Sequence, residues 1–490
     1  MLAAAVIAGC DPAGHAPDVV AGERIGGVAL GMSWRDVRAS LGDPPADPVV
    51  LVRLGRARWP ASGLEVLLTS PEDARLTDDA TVIGVGLASE QARSAIEHEY
   101  GLPAEQYNGH AYYAAGLSVA YGEDDVADRI AVIAAADAPR AGASAIPPTP
   151  TGIDLGDGQR AAVVDMHLHP GDYATMAATG KAFIAANLPP ELQLYAPDLL
   201  DRLSDPFAEH VGIAEQTALA GVGHAVLFAV YAPRSTGIFT NEQLLAVLDD
   251  PRNVTAGGVP WAWGMASLDF EGWSDAVAPM RLAELRQLLS ARADRLIGIK
   301  LAHAHQHARL DDAAYHGVYA IAAELDVPVL LHTGFSPFPG TATEPGYYDP
   351  SHLASVLATY PDVDFVLSHV GQGDARAVAH ALDLAAAHDR VWLELSALGR
   401  PLLVDKDGDP VSSAEPQYPS VLSAIRERGL VGRALFASDG PQYSGAIRGY
   451  LAKLLAGMRD AAYTPDEIGA VLSGNFERLY RRASAHVVLP

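Results

Sequence analysis

The sequence predicts an α/β protein: a (β/α)8 TIM barrel preceded by a small α+β domain made of two repeats. Three observations predict it. Beyond residue 158, eight short apolar, β-branched runs alternate with Ala- and Leu-rich helical stretches, the texture of a βα repeat. Between residues 24 and 137 two similar units follow one another. A Pro-rich stretch, APRAGASAIPPTPTGIDLGDG (138–158), separates the two textures and reads as a linker.

Composition narrows the function classes. The 490 residues carry 34 Lys plus Arg against 60 Asp plus Glu, a formal charge of −26. Phosphate binding needs clustered cations, so nucleic acid is excluded as the main partner. One cysteine excludes a disulfide framework and a Cys-based structural zinc site. At 49% hydrophobic and 19% charged residues the chain is globular in composition and long enough for more than one core. No run reaches the ~20 apolar residues of a spanning helix, so membrane attachment is expected only through a lipid anchor.

The opening MLAAAVIAGCD is an apolar run ending in Ala8-Gly9-Cys10. It resembles a bacterial lipobox, in which cleavage before Cys10 leaves that residue to carry lipid. Residues 1–23 are then signal and tether, and the chain is expected outside the cytoplasm, anchored to the cell envelope. One departure is that no basic residue precedes the apolar run.

The two repeats occupy 24–137. The first reads GVALGMSWRDVRASLGDP, RARWPASGLEVLLTS and ATVIGVGL; the second reads GLASEQARSAIEHEYGLP, GHAYYAAGLSVAYGEDD and DRIAVIAA. In each, a serine (Ser33, Ser89) is placed to cap a short helix that stops at Gly42 or Gly101. Alternating segments turned at Ser62-Gly63 or Ala115-Gly116 then form hairpins. The region holds no cluster of catalytic residue types. It resembles the small repeated helix-and-sheet modules of envelope lipoproteins, which implies a binding, docking or structural role and a protein partner for this domain.

The barrel is assigned to 159–490. Its candidate strands are AAVVDMHLHP, HAVLFAVYAP, PWAWGMASLDF, RLIGIKLAHAH, VPVLLHTG, VDFVLSHVG, RVWLELSALG and RALFASDGP. Long connections at about 170–222, 334–350 and 400–417 are expected over the carboxyl ends of the strands, where sites on this fold lie. Phe335, Phe338, Tyr347 and Tyr348 would be lid walls there, or would pack within their own loop.

Polar residues collect at those strand ends. In Asp165-Met166-His167-Leu168-His169 the two histidines are two residues apart, so on a strand they face the same way. Two imidazoles on one rigid strand make half of a zinc site. The fifth strand ends in His332, the sixth in His369 and the eighth in Asp439. Three histidines and a carboxylate around a divalent cation, with a position left for water, is the pattern of a catalytic metal site. Zn2+ is expected, with Mn2+ the alternative, because this donor set accepts either.

DMHLHP, IGIKLAHAH, VPVLLHTG, VDFVLSHVG, ALFASDGP and the closing LSGNFERLY, taken in order, resemble the amidohydrolase superfamily. Within it, the similarity is to the amidohydrolase-related group that includes aminocarboxymuconate-semialdehyde decarboxylase. It covers about 160–485. The resemblance implies His167, His169, His332 and Asp439 as metal ligands, and His369 as either a second-metal ligand or the acid/base that touches substrate. It also implies a choice for Lys300: a carboxylated bridge between two metals, or a bystander in a one-metal site. One metal per chain is the expectation. Asp165 is read as an orienting group behind the ligands, His303 and His305 as pocket or loop residues, and Glu394 as a weaker pocket candidate.

The activity these readings imply is hydrolysis of a C–O or C–N bond in a small lactone, ester or amide. Asp439 would be the general base and His369 the group that polarises the scissile bond. The same site could serve a decarboxylase or hydratase. Such substrates are rich in carboxylate and call for an arginine; the strand ends show none, although Arg234, Arg376 and Arg400 lie on nearby loops, which tilts the reading to hydrolysis. A third reading is an envelope binding protein with an inactive barrel, against which the complete ligand set argues. A homodimer is the default assembly.

Overall fold

The computed structural model describes residues 18–135, 152–156, 158–399, 417–441 and 443–484. Cys10, most of the linker, Arg400 and most of the connection expected at 400–417 lie outside the described residues. The chain forms two compact units. One comprises the described N-terminal residues 18–135 together with Lys181–Gly212 and a short stretch at 443–444; the other holds the remainder of the described barrel sequence. The stretch 181–212, expected with the loops over the barrel mouth, thus belongs to the first unit.

In the first unit, helices α1 (Trp34–Leu41) and α2 (Arg93–Tyr100) accompany an antiparallel eight-stranded sheet. Its strands in chain order are β1 (Val49–Leu51), β2 (Leu54–Trp59), β3 (Leu64–Thr69), β4 (Thr81–Ala88), β5 (Glu105–Tyr107), β6 (His110–Tyr113), β7 (Leu117–Tyr121) and β8 (Ala127–Val132). They lie side by side as β1-β2-β3-β4-β8-β7-β6-β5, so each repeat supplies one half and β4 joins β8 at the centre. Side chains alternate between faces. Ala57, Trp59, Val66, Leu68, Val85, Leu87, Val119, Ile130 and Val132 enter one buried core with Trp34, Val37 and Ile96 of the helices. Ser33 caps α1 through the amide of Asp36. Ser89 does not cap α2: the cap position is Ala92, and the Ser89 hydroxyl instead accepts from the amide of Gln91 in the turn before the helix.

The second unit is a closed parallel barrel. Its strands are β9 (Val164–Leu168), β10 (His224–Phe228), β11 (Ala262–Ala266), β12 (Leu296–Leu301), β13 (Val329–His332), β14 (Phe365–Ser368), β15 (Val391–Glu394) and β16 (Ala434–Leu435). They pair in sequence order, each parallel to the last, as in a (β/α)8 barrel. Closure runs through a parallel bridge between Leu168 and Gly440 and backbone bonds from Asp439 to His167 O (3.0 Å) and from His169 to Gly440 O (2.8 Å). The first and last candidate strands are therefore sewn together at the residues proposed as ligands. Val226, Phe228, Met265, Leu330, Val366, Trp392 and Leu435 form one buried cluster with Phe476 and Tyr480 near the chain's carboxyl end. Two-residue spacing puts His332, Ser368 and Glu394 on the same strand faces as Leu330, Val366 and Trp392, one step nearer the carboxyl ends. No described helix is long and apolar enough to cross a membrane.

Candidate metal centre

Five imidazoles form a continuous arc at the carboxyl ends of the strands. Ring centroids are 4.9 Å apart for His169 and His167, 5.1 Å for His167 and His369, 4.9 Å for His369 and His332, and 4.9 Å for His332 and His305. Phe228 packs edge-on against both His167 and His169.

The tightest donor group is at one end of the arc. His167 Nε2 is 3.0 Å from His169 Nε2 and 3.4 Å from Asp439 Oδ1, which is 3.2 Å from His169 Nε2. A tetrahedral ion with bonds of about 2.0–2.1 Å separates its ligand atoms by about 3.3–3.4 Å, close to these distances. With the His167 ring proton on Nδ1 toward Glu394, a single proton on His169 Nε2 is left for three close contacts, whereas three lone pairs aimed at one point suit a cation. The residues fit a divalent metal. His167, His169 and Asp439 form one candidate donor group, and His167, His369 and Glu394 a second that shares a residue with it. His332 stands one ring away, and its buried Nε2 has no hydrogen-bond partner, a donor atom left for a cation or substrate.

The surrounding residues orient these donors. Glu394 is wholly buried; its Oε2 is 3.0 Å from His167 Nδ1 and accepts from the amide of His369 (3.3 Å), while Oε1 accepts from the amide of Ser396 (2.7 Å). A carboxylate on one ring nitrogen fixes the tautomer and leaves the other nitrogen free to coordinate. Burial pushes the Glu394 carboxyl above its ordinary range, partly offset by His369. Asp165 Oδ1 accepts from the amides of His167 (3.2 Å) and Ser438 (3.0 Å), tying β9 to the segment after β16. Burial raises the Asp165 pKa to about 7. His369 and Asp439 both have positive φ, 64° and 59°. Non-glycine residues held there store strain that neighbouring structure must over-determine, and such residues cluster at functional sites. The turn matters for His369, which would otherwise face away from Ser368's side of the strand. His369 Nδ1 meets Ser396 Oγ at 2.7 Å, and burial depresses its pKa to about 3.

Lys300 is buried on β12, 3.3 Å from Ser368 Oγ and over the Phe228 ring. Desolvation lowers it to about 8, against the opposing pull of Glu394 and Asp439.

The structure separates His303 from His305. The strand stops at Leu301, and His303–Gln306 form a single helical turn, α3, instead of continuing the strand. His303 points into an aromatic cluster, 4.3 Å from the Tyr315 ring and 3.3 Å from Tyr319 OH, both on the helix Ala313–Leu325. His305 closes the arc, its Nδ1 2.8 Å from the buried hydroxyl of Ser235. In the loop after β13, Phe335 meets Tyr348 edge-on, and Tyr348 packs with Ala304 and Ala377 and donates through its hydroxyl to Asp374. Of its four aromatics only Phe338 has a ring contact with the arc, at His305 (6.3 Å). Glu394 is the residue whose weight the sequence understated. The signal was a carboxylate closing the apolar run VWLE, as the histidines close theirs.

Residues 264–482 match the family model described as amidohydrolase, a span that includes Lys300, His332, His369, Glu394 and Asp439. No curated protein matches the chain. Among solved structures it is similar to an uncharacterized TIM-barrel protein from Bordetella bronchiseptica (17% identity, 66% of this chain and 99% of that one, TM-score 0.48). It is also similar to a probable 2-pyrone-4,6-dicarboxylic acid hydrolase from Acinetobacter baumannii (15%, 65% and 99%, 0.41). A third is a dihydroxybenzoic acid decarboxylase from Polaromonas sp. JS666 with bound manganese (14%, 66% and 97%, 0.43). The family match falls on the barrel, over the strands that end in Lys300–Leu301, His332, Ser368–His369 and Glu394 and the segment that carries Asp439, so this part of the chain is similar to the amidohydrolase family.

Proposed function

We propose that the protein is a metal-dependent hydrolase that adds water across a C–O or C–N bond of a small lactone, ester or amide. The observation that carries this reading is the convergence of His167 Nε2, His169 Nε2 and Asp439 Oδ1 within 3.0–3.4 Å, with Glu394 behind His167. His167, His169 and Asp439 would hold the cation, with His332, beyond His369 in the arc, a further candidate donor. A cation there lowers the pKa of water and polarises a carbonyl. Asp439 takes the proton of the attacking water and passes it to the leaving oxygen or nitrogen as the carbonyl carbon changes partner. In the tautomer in which the Ser396 hydroxyl donates to Nδ1, His369 carries its ring proton on Nε2 and donates to the oxygen where negative charge develops.

Hydrolysis is favoured over decarboxylation by the fate of the arginines. Among the described residues, no arginine closes a barrel strand, and the loop residues Arg234 and Arg376 are paired with Glu271 (2.9 Å) and Asp374 (3.2 Å). The test is acid release from a panel of lactones, aryl esters and anilides by the zinc- or manganese-loaded chain, followed by pH-stat. Turnover lost in the His167→Ala, His169→Ala variant supports hydrolysis. Carbon dioxide release from hydroxybenzoates without acid release from any ester would replace it with decarboxylation. An envelope location through lipidated Cys10 is part of the same proposal; palmitate labelling of the expressed chain should disappear in Cys10→Ala.

A further inference from the structure

The first unit carries a surface that the helix-side core leaves over. Alternation along its strands puts Arg56, Arg58, Glu65, Gly84, Gly86, Tyr112, Ser118 and Arg129 opposite the face that packs on α1 and α2. That second face is covered by Pro190–Tyr195, a 3-10 segment from the connection that leaves β9. We propose that this face is a peptide-docking surface whose ligand is the chain's own segment 190–195. The two-repeat domain then acts as an internal clamp on that connection, not as a receptor for a separate protein.

Four features show a fitted seat. Two consecutive backbone carbonyls are read by side chains of neighbouring strands: Tyr112 OH donates to Gln193 O (2.7 Å) and Ser118 Oγ to Leu194 O (2.5 Å). Leu192, Leu194 and Tyr195 are buried while Glu191 stays exposed, so the segment buries its apolar side.

The Tyr195 ring lies where β4 carries glycines. A Cβ at Gly84 would come within 2.5 Å of the ring, and one at Gly86 within 2.6 Å of the hydroxyl. Glycine inside a strand weakens it and marks close approach of another group. The corresponding run of the second repeat, DRIAVIAA, has no glycine, so the gap follows Tyr195 and is not inherited from the repeat.

Charge is complementary as well. Tyr195 OH donates to the buried Glu65 (3.2 Å), which is approached by Arg58 (2.7 Å), Arg129 (3.5 Å) and Arg56 (3.8 Å). Three guanidiniums around one carboxylate leave positive charge in excess. The segment supplies Glu191, 3.2 Å from Arg56. Outside the core of the contact, Asn108 Nδ2 donates to Ala182 O (2.8 Å) and Lys181 pairs with Glu105.

The clamp is tested on the full chain from both sides. Gly84→Val crowds the Tyr195 ring while leaving the segment's own residues unchanged. Hydrogen–deuterium exchange at 188–196 should then rise at least ~10-fold while β6–β8 stay protected. A combined Leu192→Ser, Leu194→Ser, Tyr195→Ser variant frees the face. It should bind a fluorescein-labelled peptide of residues 187–198 that the wild-type chain does not bind. Unchanged exchange in Gly84→Val would overturn the proposal. So would equal peptide binding by wild type and triple variant, or no binding by a triple variant that still melts cooperatively.

Discussion

His167 Nδ1 stands 3.0 Å from Glu394 Oε2, and neither side chain is exposed to solvent. This contact joins the first barrel strand to the seventh and sets the tautomer in which His167 Nε2 faces His169 and Asp439. Because the carboxylate acts through the imidazole, Glu394→Gln should weaken metal binding by about 10- to 100-fold. Competition with a chromogenic chelator measures it. An unchanged affinity would remove Glu394 from the account.

Asp439 serves in two capacities in the proposed reaction, as donor and as base. Asp439→Asn keeps an oxygen at the donor position and removes the basicity. Metal content should stay largely intact while hydrolysis falls at least ~100-fold. Turnover like wild type would show that the proton goes elsewhere.

Ser396 Oγ stands 2.7 Å from His369 Nδ1, and Ser396 also hydrogen-bonds Glu394 through its amide (2.7 Å). Losing that hydroxyl frees the ring to take the other tautomer. Ser396→Ala should lower kcat about tenfold with KM and metal content little changed, and Ser396→Thr should restore most of it. A change in KM alone would assign Ser396 to substrate binding instead.

The buried His224 predicts part of the acid sensitivity of the fold. It opens β10, packs on Trp263 (5.1 Å) and has Nδ1 3.0 Å from Pro260 O. Desolvation lowers its pKa to about 4. The unfolded chain takes up this proton near pH 6.5, the folded chain only near pH 4, so below pH 6.5 the unfolded state binds more protons. The stability associated with His224 is therefore full above pH 6.5 and declines as pH falls to about 4, by about 3 kcal/mol in total. Urea midpoints at pH 7 and pH 4.5 should differ less for His224→Gln than for wild type. Parallel pH curves would contradict the assignment.

Most of the barrel was legible because βα periodicity is local: apolar strand runs, helical spacing between them and a polar residue closing each strand. HxH, HTG, SHVG and ASDGP lie at strand ends, so finding the strands placed His167, His169, His332, His369 and Asp439. Tertiary contacts were less legible. His303 and His305 looked alike in KLAHAH, but the chain leaves the strand at Leu301, and one helical turn sends His303 to Tyr315 and His305 to Ser235. Glu394 gains its importance from His167, 227 residues away in sequence. The cover on the N-terminal sheet comes from residues 190–195, and only the two glycines of GVGL marked its place beforehand.

The central claim is that the histidine arc and Asp439 hold a metal ion. The most direct test is metal content per purified chain after incubation with zinc or manganese, beside a His167→Ala, His169→Ala control. The account predicts about one ion per chain, lost in the control, with Lys300 outside the coordination sphere. No bound ion, or an ion retained by the control, would contradict it.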